Sequence, residues 1–226
     1  MAEESRQREP LSAERIEIAA LELIEEQGLA SFSLRKLAAR LGCEAMSIYH
    51  YFPSKGHLMD ALVDRVIAEI PPPPDHQLPW IERLRQAGRG WRHVFTSRPN
   101  FFTFLATHRL NTPAALRMLD GLIGMFGEGG MDRATAVRLF RAVGYYVMGA
   151  GLDETAGYAR GPSTVKPLPD DVMQRDFPNV YAAAPYFQPS EWDKTFELGL
   201  DLMLRGVAQL LEKEARANGR RDAARR

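Results

Sequence analysis

A single cysteine, Cys43, stands among 226 residues. One thiol can close no internal disulfide and build no cysteine-rich zinc site. With no resolving partner nearby, Cys43 reads as a small buried apolar residue. Histidines are sparse too: His50, His57, His76, His93 and His108 are scattered, and none forms an H-E-x-x-H pair. No metal site and no cofactor is expected. The chain also lacks a G-x-S-x-G elbow and a phosphate-binding glycine loop. No catalytic residue is assigned, and an all-helical enzyme (His108 beside Asp153 or Glu154) and a metal sensor remain only as alternatives. Long hydrophobic runs are missing as well. The longest, Ala142 to Leu152, is too short to cross a bilayer as a helix. Met1 to Pro10 is charged and polar, unlike a signal peptide, so a cytoplasmic protein with no membrane partner is expected. Net charge is absent in total, with 29 basic against 29 acidic residues. Strand patterning is absent: no segment alternates apolar and polar residues between hairpin turn signals.

What is present is helix after helix, so the expected fold class is all-α. Ser12 offers an N-cap for a first helix to Gln27, with Ile16, Ala19, Ala20, Leu23 and Ile24 on one stripe and Gly28 as a left-handed stop. Ser33 caps a second helix from Leu34 to Leu41, with Phe32 and Leu37 spaced as a hydrophobic staple and Gly42 as its end. A short third helix runs over about Glu44 to Tyr49. Ser54 caps a fourth, which carries Leu58, Leu62 and Val66 inward. Pro71 to Pro79 reads as a stiff linker. Beyond it, Pro99-Asn100 offers a cap before Phe101. Thr112-Pro113 starts another helix, and Asp132 caps a long one reaching about Tyr158. Gly161 to Pro189 holds six prolines and reads as irregular or broken by one short helix. Ser190 then caps a final helix, with Phe196, Leu200, Met203, Val207 and Leu210 as its stripe. The expected domains are 1–56, ordered from about residue 11; 57–216, a larger helical unit; and 217–226, a basic tail.

Leu34 to Tyr49 has the plan of a helix-turn-helix: a two-turn helix, a glycine, a tight turn and a second short helix that can lie in the major groove. Ile48 is the apolar anchor of that second helix. Local charge supports the reading, since Ser31 to His57 holds Arg35, Lys36, Arg40 and Lys55 against Glu44 alone. Affinity for DNA follows the charge facing the phosphates, not the total.

The segment SLRKLAARLGCEAMSIYHYFPSKGHLMDAL resembles the DNA-binding domain of the TetR family of bacterial repressors. The marks are the LA..LG turn, the short helix ending in IYHYF, the SK step and the L..A of the next helix. Leu116 to Phe126 and Phe196 to Leu211 resemble helices of the tetracycline-repressor subgroup. The resemblance implies a homodimeric, ligand-released repressor bound to a palindromic double-stranded operator. It makes Arg35 a reader of a guanine edge, with Ala45 and Met46 at base-facing positions. Where the subgroup has a polar amide, this chain has Ala45, so its operator should differ. Tyr49 and Tyr51 would touch a phosphate or a base methyl. Lys55 and Ser33 would hold phosphates at helix starts. Lys36, Glu44, Ser47 and His50 complete the expected DNA-facing set. An activator fits the same reading head.

The second unit is rich in aromatics and methionine. A small, largely apolar effector is expected, bound by residues drawn from Trp91, Phe95, Phe104, His108, Met125, Tyr145 and Met148, with Arg109 and Asn111 as further polar candidates. The helix from Asp132, with Gly144, Gly149, Ala150 and Gly151, and the last helix are the candidate dimer helices. An intrachain core explains the same stripes, and both readings stay open.

Overall fold

The computed structural model describes residues 10–71, 77–156 and 165–223, with side chains described as far as 213. Eleven α-helices and no strand occur among the described residues. The first four form the N-terminal unit. In α1 (Ala13–Gln27) the Ser12 hydroxyl accepts the Arg15 N–H at 3.2 Å, and the expected stripe is buried. Gly28 ends the helix at φ +78° and ψ 151°, so it has positive φ but not the left-handed helical conformation expected. After a one-turn 3-10 segment come α2 (Leu34–Leu41), α3 (Ala45–Tyr49) and α4 (Lys55–Ala68). Ile16, Ala20, Leu37, Ile48, Leu58 and Leu62 are fully buried and tie the four helices together. The apolar spacing legible in each helix is what builds this core.

The larger unit comprises α5 (Trp80–Ser97), α6 (Pro99–Thr107), α7 (Pro113–Glu128), α8 (Arg133–Ala156) and α11 (Trp192–Ala223). Helix α5 lies at its centre and packs on α6, α7, α8 and α11. Helix α6 packs on α8 and also on α1, so it touches both units. Thr112 and Asp132 cap α7 and α8 as expected: Thr112 accepts Ala115 N–H at 3.2 Å, and Asp132 accepts Ala134 N–H at 2.9 Å.

Several expectations are corrected. Asn100 does not cap α6, because Pro99 is already its first residue and Arg98 its N-cap. Ser190 lies in a 3-10 turn, and α11 begins only at Trp192. The proline-rich stretch holds two short helices rather than one, α9 (Asp170–Asp176) and α10 (Pro178–Ala183). On α11, Leu204 takes a buried place while Leu210 is exposed. The end of α8 expected at Tyr158, the start of the proline-rich stretch and the middle of the proline linker lie outside the described residues.

Candidate DNA interface and effector cavity

The turn between α2 and α3 is built by Gly42, whose φ of +66° and ψ of 35° are left-handed and favour a residue without Cβ. Its N–H and that of Cys43 return to Ala38 and Ala39 carbonyls. This closes α2 and swings the chain into α3. Ile48 is fully buried, which fixes the rotation of the short helix. Its opposite face is open. Met46 is 64% exposed, and Glu44, Tyr49 and His50 are exposed, while Ala45 and Ser47 are half-buried at its edges. Arg35 and Lys36 project from the first turn of α2. The Arg35 side chain makes no hydrogen bond or ion pair among the described residues. Lys36 reaches Gln27 at 3.1 Å.

Three nominated phosphate contacts already have work inside the chain. The Ser33 hydroxyl accepts Lys36 N–H at 3.3 Å. The Tyr51 hydroxyl donates to Leu11 O at 2.6 Å, and Lys55 Nζ donates to Phe32 O at 3.3 Å while lying over the Phe32 ring. All of these bonds hold the N-terminal unit in shape. Arg40 is engaged differently. Hydrogen bonds to Glu26 and then Glu22 hold its pKa above the ordinary value, and the bond to Glu26 lowers that carboxyl's pKa in turn. Two carboxylates neutralise it, so the basic face rests on Arg35, Lys36 and Lys55.

A cavity of about 280 Å³ lies among α5, α6, α7 and α8. Leu84, Ala87, Gly88, Trp91 and Phe95 face it from α5; Leu105, Ala106, His108 and Leu110 from α6 and the loop after it. Leu119, Leu122 and Phe126 of α7 and Phe140, Val143, Gly144, Val147 and Met148 of α8 complete the wall. His108 is the only ionisable side chain among these. Its Nε2 lies 2.9 Å from Asp60 Oδ1, so a wall residue of the cavity is bonded to α4.

Of the seven nominated effector residues, Trp91, Phe95, His108 and Met148 line this cavity, whereas Phe104, Met125 and Tyr145 do not. Tyr145 is 61% exposed, with Arg141 at its hydroxyl. Met125 is buried core, and Phe104 sits between the Phe101 and His108 rings. Their neighbours Phe126 and Gly144 take the cavity positions, since one residue is a 100° rotation on a helix. Spacing of three and four along Phe140, Val143, Gly144 and Val147 was the available signal. Among the small residues of α8, Gly144 faces the cavity and Gly149 is exposed. A Cβ on Gly151 would lie 2.8 Å from Phe95, so its smallness serves packing within the chain.

Residues 18–62 match a family model described as bacterial regulatory proteins, tetR family. Residues 72–211 match the tetracyclin repressor-like C-terminal domain. The chain belongs to the TetR family. As a family member it is a DNA-binding transcriptional regulator of the ligand-responsive repressor type, and not an enzyme. It is 30% identical over 200 residues to the tetracycline repressor protein class A from transposon 1721 of Escherichia coli, covering 84% of this chain and 88% of the relative. A solved structure of a possible TetR family transcriptional regulator from Streptomyces coelicolor A3(2) superposes with a TM-score of 0.72 at 26% identity, covering 88% of this chain and 100% of that one. A single-residue variant of TetR from Acinetobacter baumannii AYE in complex with minocycline gives a TM-score of 0.65 at 26% identity, covering 89% of this chain and 99% of that one. Among the described residues no helix is long and apolar enough to cross a membrane.

Proposed function

We propose that this TetR-family regulator binds a palindromic operator as a homodimer and leaves it when a small, largely apolar effector fills the cavity among α5 to α8. In this reading residues 1–56 are the reading head, 57–216 bind effector and partner subunit, and 217–226 are a basic tail. The protein acts in the cytoplasm, where its DNA lies. The observation that carries the proposal is the pairing of an open recognition face on α3 with an apolar cavity whose wall is bonded to α4. A group entering near His108 displaces its ring, and with it the bond to Asp60. A volume of about 280 Å³ is near the lower end of ligand pockets. Walls of Trp91, Phe95, Phe126 and Phe140 suit a compact ring system with one polar group to meet His108. The relative in complex with minocycline supports a bound small molecule.

Arg35, Ala45, Met46 and Tyr49 are the proposed base readers. Lys36, Lys55, Ser33 and Tyr51 are placed against phosphates, with Glu44, Ser47 and His50 at the edges. The dimer face is proposed on α8 and α11, where Tyr145 and Leu152 of the one and Leu198 and Leu202 of the other meet solvent, Leu198 and Leu202 each over 60% exposed. A symmetric pair of heads reads two half-sites about 34 Å apart. The test is selection of duplexes from random sequence by the purified protein, followed by gel shift. A palindromic site bound with steep salt dependence is expected. No enriched duplex, or binding that survives Arg35→Ala with Tyr49→Ala, would overturn the reading.

A further inference from the structure

The start of α6 is clamped to the N-terminal unit at two points. The Glu25 carboxylate of α1 accepts the N–H groups of Asn100 and Phe101 at 3.1 and 2.9 Å, while Asn100 Nδ2 donates to Glu25 O at 2.7 Å. An acidic side chain from another helix thus fills the capping role that α6 lacks in its own sequence. Side chain and main chain of one residue are both engaged, so the joint cannot swivel about a single bond. Beside it, Arg98 binds Glu69, which closes α4, through two parallel hydrogen bonds. No residue of this end lines the cavity, whose α6 wall begins only at Leu105. The clamp therefore stands apart from the effector site. It grips α1 of the reading head and the end of α4, the helix that leads from the head into the larger unit.

We propose that Glu25 and the Arg98–Glu69 pair are positioning residues that set the operator spacing this protein accepts. The recognition helix α3 is carried by α2, and α2 packs on α1. The angle between α1 and α6 therefore fixes where α3 stands relative to the larger unit. In a symmetric dimer that angle is doubled across the two-fold axis and becomes the separation of the two recognition helices. A head held at one point can pivot. A head held at Glu25, at Glu69 and, at the far end of α6, at Asp60 cannot. Inserting one base pair between half-sites moves the second by about 3.4 Å and turns it by about 35°, which a clamped pair of heads cannot follow. This inference rests on the dimeric operator reading above.

The probes are three duplexes derived from the operator that the wild-type protein selects from random sequence: the selected one, the same with one base pair inserted at its centre, and a single half-site. Affinity is measured by fluorescence anisotropy at fixed salt and well below the melting temperature of every variant. Wild type should prefer the selected spacing by about thirtyfold or more. Glu25→Ala with Arg98→Ala should match wild type on the single half-site, lose about fivefold on the selected operator, and prefer it over the inserted one by less than about fivefold. Glu25→Gln and Arg98→Lys keep part of each joint and serve if the double alanine variant does not fold; each should narrow the preference by a smaller amount. A preference ratio unchanged in the folded variants overturns the inference. So does a loss that is equal on all three duplexes, which is the signature of a merely structural role. Failure to select a palindrome overturns the dimeric reading instead.

Discussion

Arg35 and Lys55 are both cations on the reading head, yet their expected losses differ in kind. The Arg35 side chain makes no hydrogen bond or ion pair among the described residues, which leaves it open for the proposed base contact. Arg35→Ala should cost about 1–3 kcal/mol and relax specificity at one base pair, read by anisotropy on singly substituted operators. Lys55 is proposed against a phosphate, so Lys55→Ala should weaken all sequences alike and reduce the salt slope by about one. Arg40 carries the same formal charge but is neutralised by Glu22 and Glu26, so Arg40→Ala should change the slope little. The exposure of Tyr49, at the open end of α3, was legible from its place after the buried Ile48. The Arg40 pairing was not legible, because Glu22 and Glu26 lie on another helix. Gly144 is the residue for testing the cavity. A Cβ there meets nothing within 4 Å, and leucine is a better helix former than glycine. Gly144→Leu should keep or raise the melting temperature. Any compound that raises the wild-type melting temperature should then fail to raise that of the variant.

Helix α5 carries Arg85, Arg89 and Arg92 along one side, and α11 answers in reverse order with Asp201, Glu197 and Asp193. The pairs measure 2.9 Å for Arg85–Asp201, 2.6 Å for Arg89–Glu197 and 2.8 Å for Arg92–Asp193. Arg92 also binds the buried Glu154 of α8. Spacings of three and four on two antiparallel helices bring each of these α5 cations to one carboxylate of α11. The hydrogen bond from Arg89 holds Glu197 below the ordinary carboxylate range, and that from Arg85 does the same for Asp201. A lowered folded-state pKa gives stability that is present above the unfolded value and is lost as pH falls through the folded one. The melting temperature should therefore drop as pH falls below about 4. Glu197→Gln with Asp201→Asn should flatten that drop while lowering the melting temperature at pH 7. These pairs are partly exposed, so salt should shrink the effect. Helix α6 shows the same limit on local reading. Its start was expected at a local cap, but the group that satisfies its N–H donors comes from Glu25, on the first helix of the chain.

At the scale of the molecule, the exposed Leu198 and Leu202 of α11 stand out against a core that buries Phe196, Leu200, Leu204 and Val207 of the same helix. An open apolar strip on a long helix fits contact with a second copy. Leu198→Arg with Leu202→Arg should leave a folded monomer by sedimentation and weaken operator binding by more than about tenfold, because one short recognition helix lacks its partner half-site. A dimer that survives this change would move the interface elsewhere. The sequence by itself determined the all-helical class, the helix starts at Ser12, Ser33, Ser54, Thr112 and Asp132, and the helix-turn-helix plan of Leu34 to Tyr49. Those features follow from periodicity, caps and turns within a few residues of one another. Only the tertiary structure decided which side of α7 and α8 lines the cavity, what caps α6, and how His108 meets Asp60. Each of those depends on a helix rotation of about 100° per residue or on partners dozens of residues apart, which no local pattern encodes.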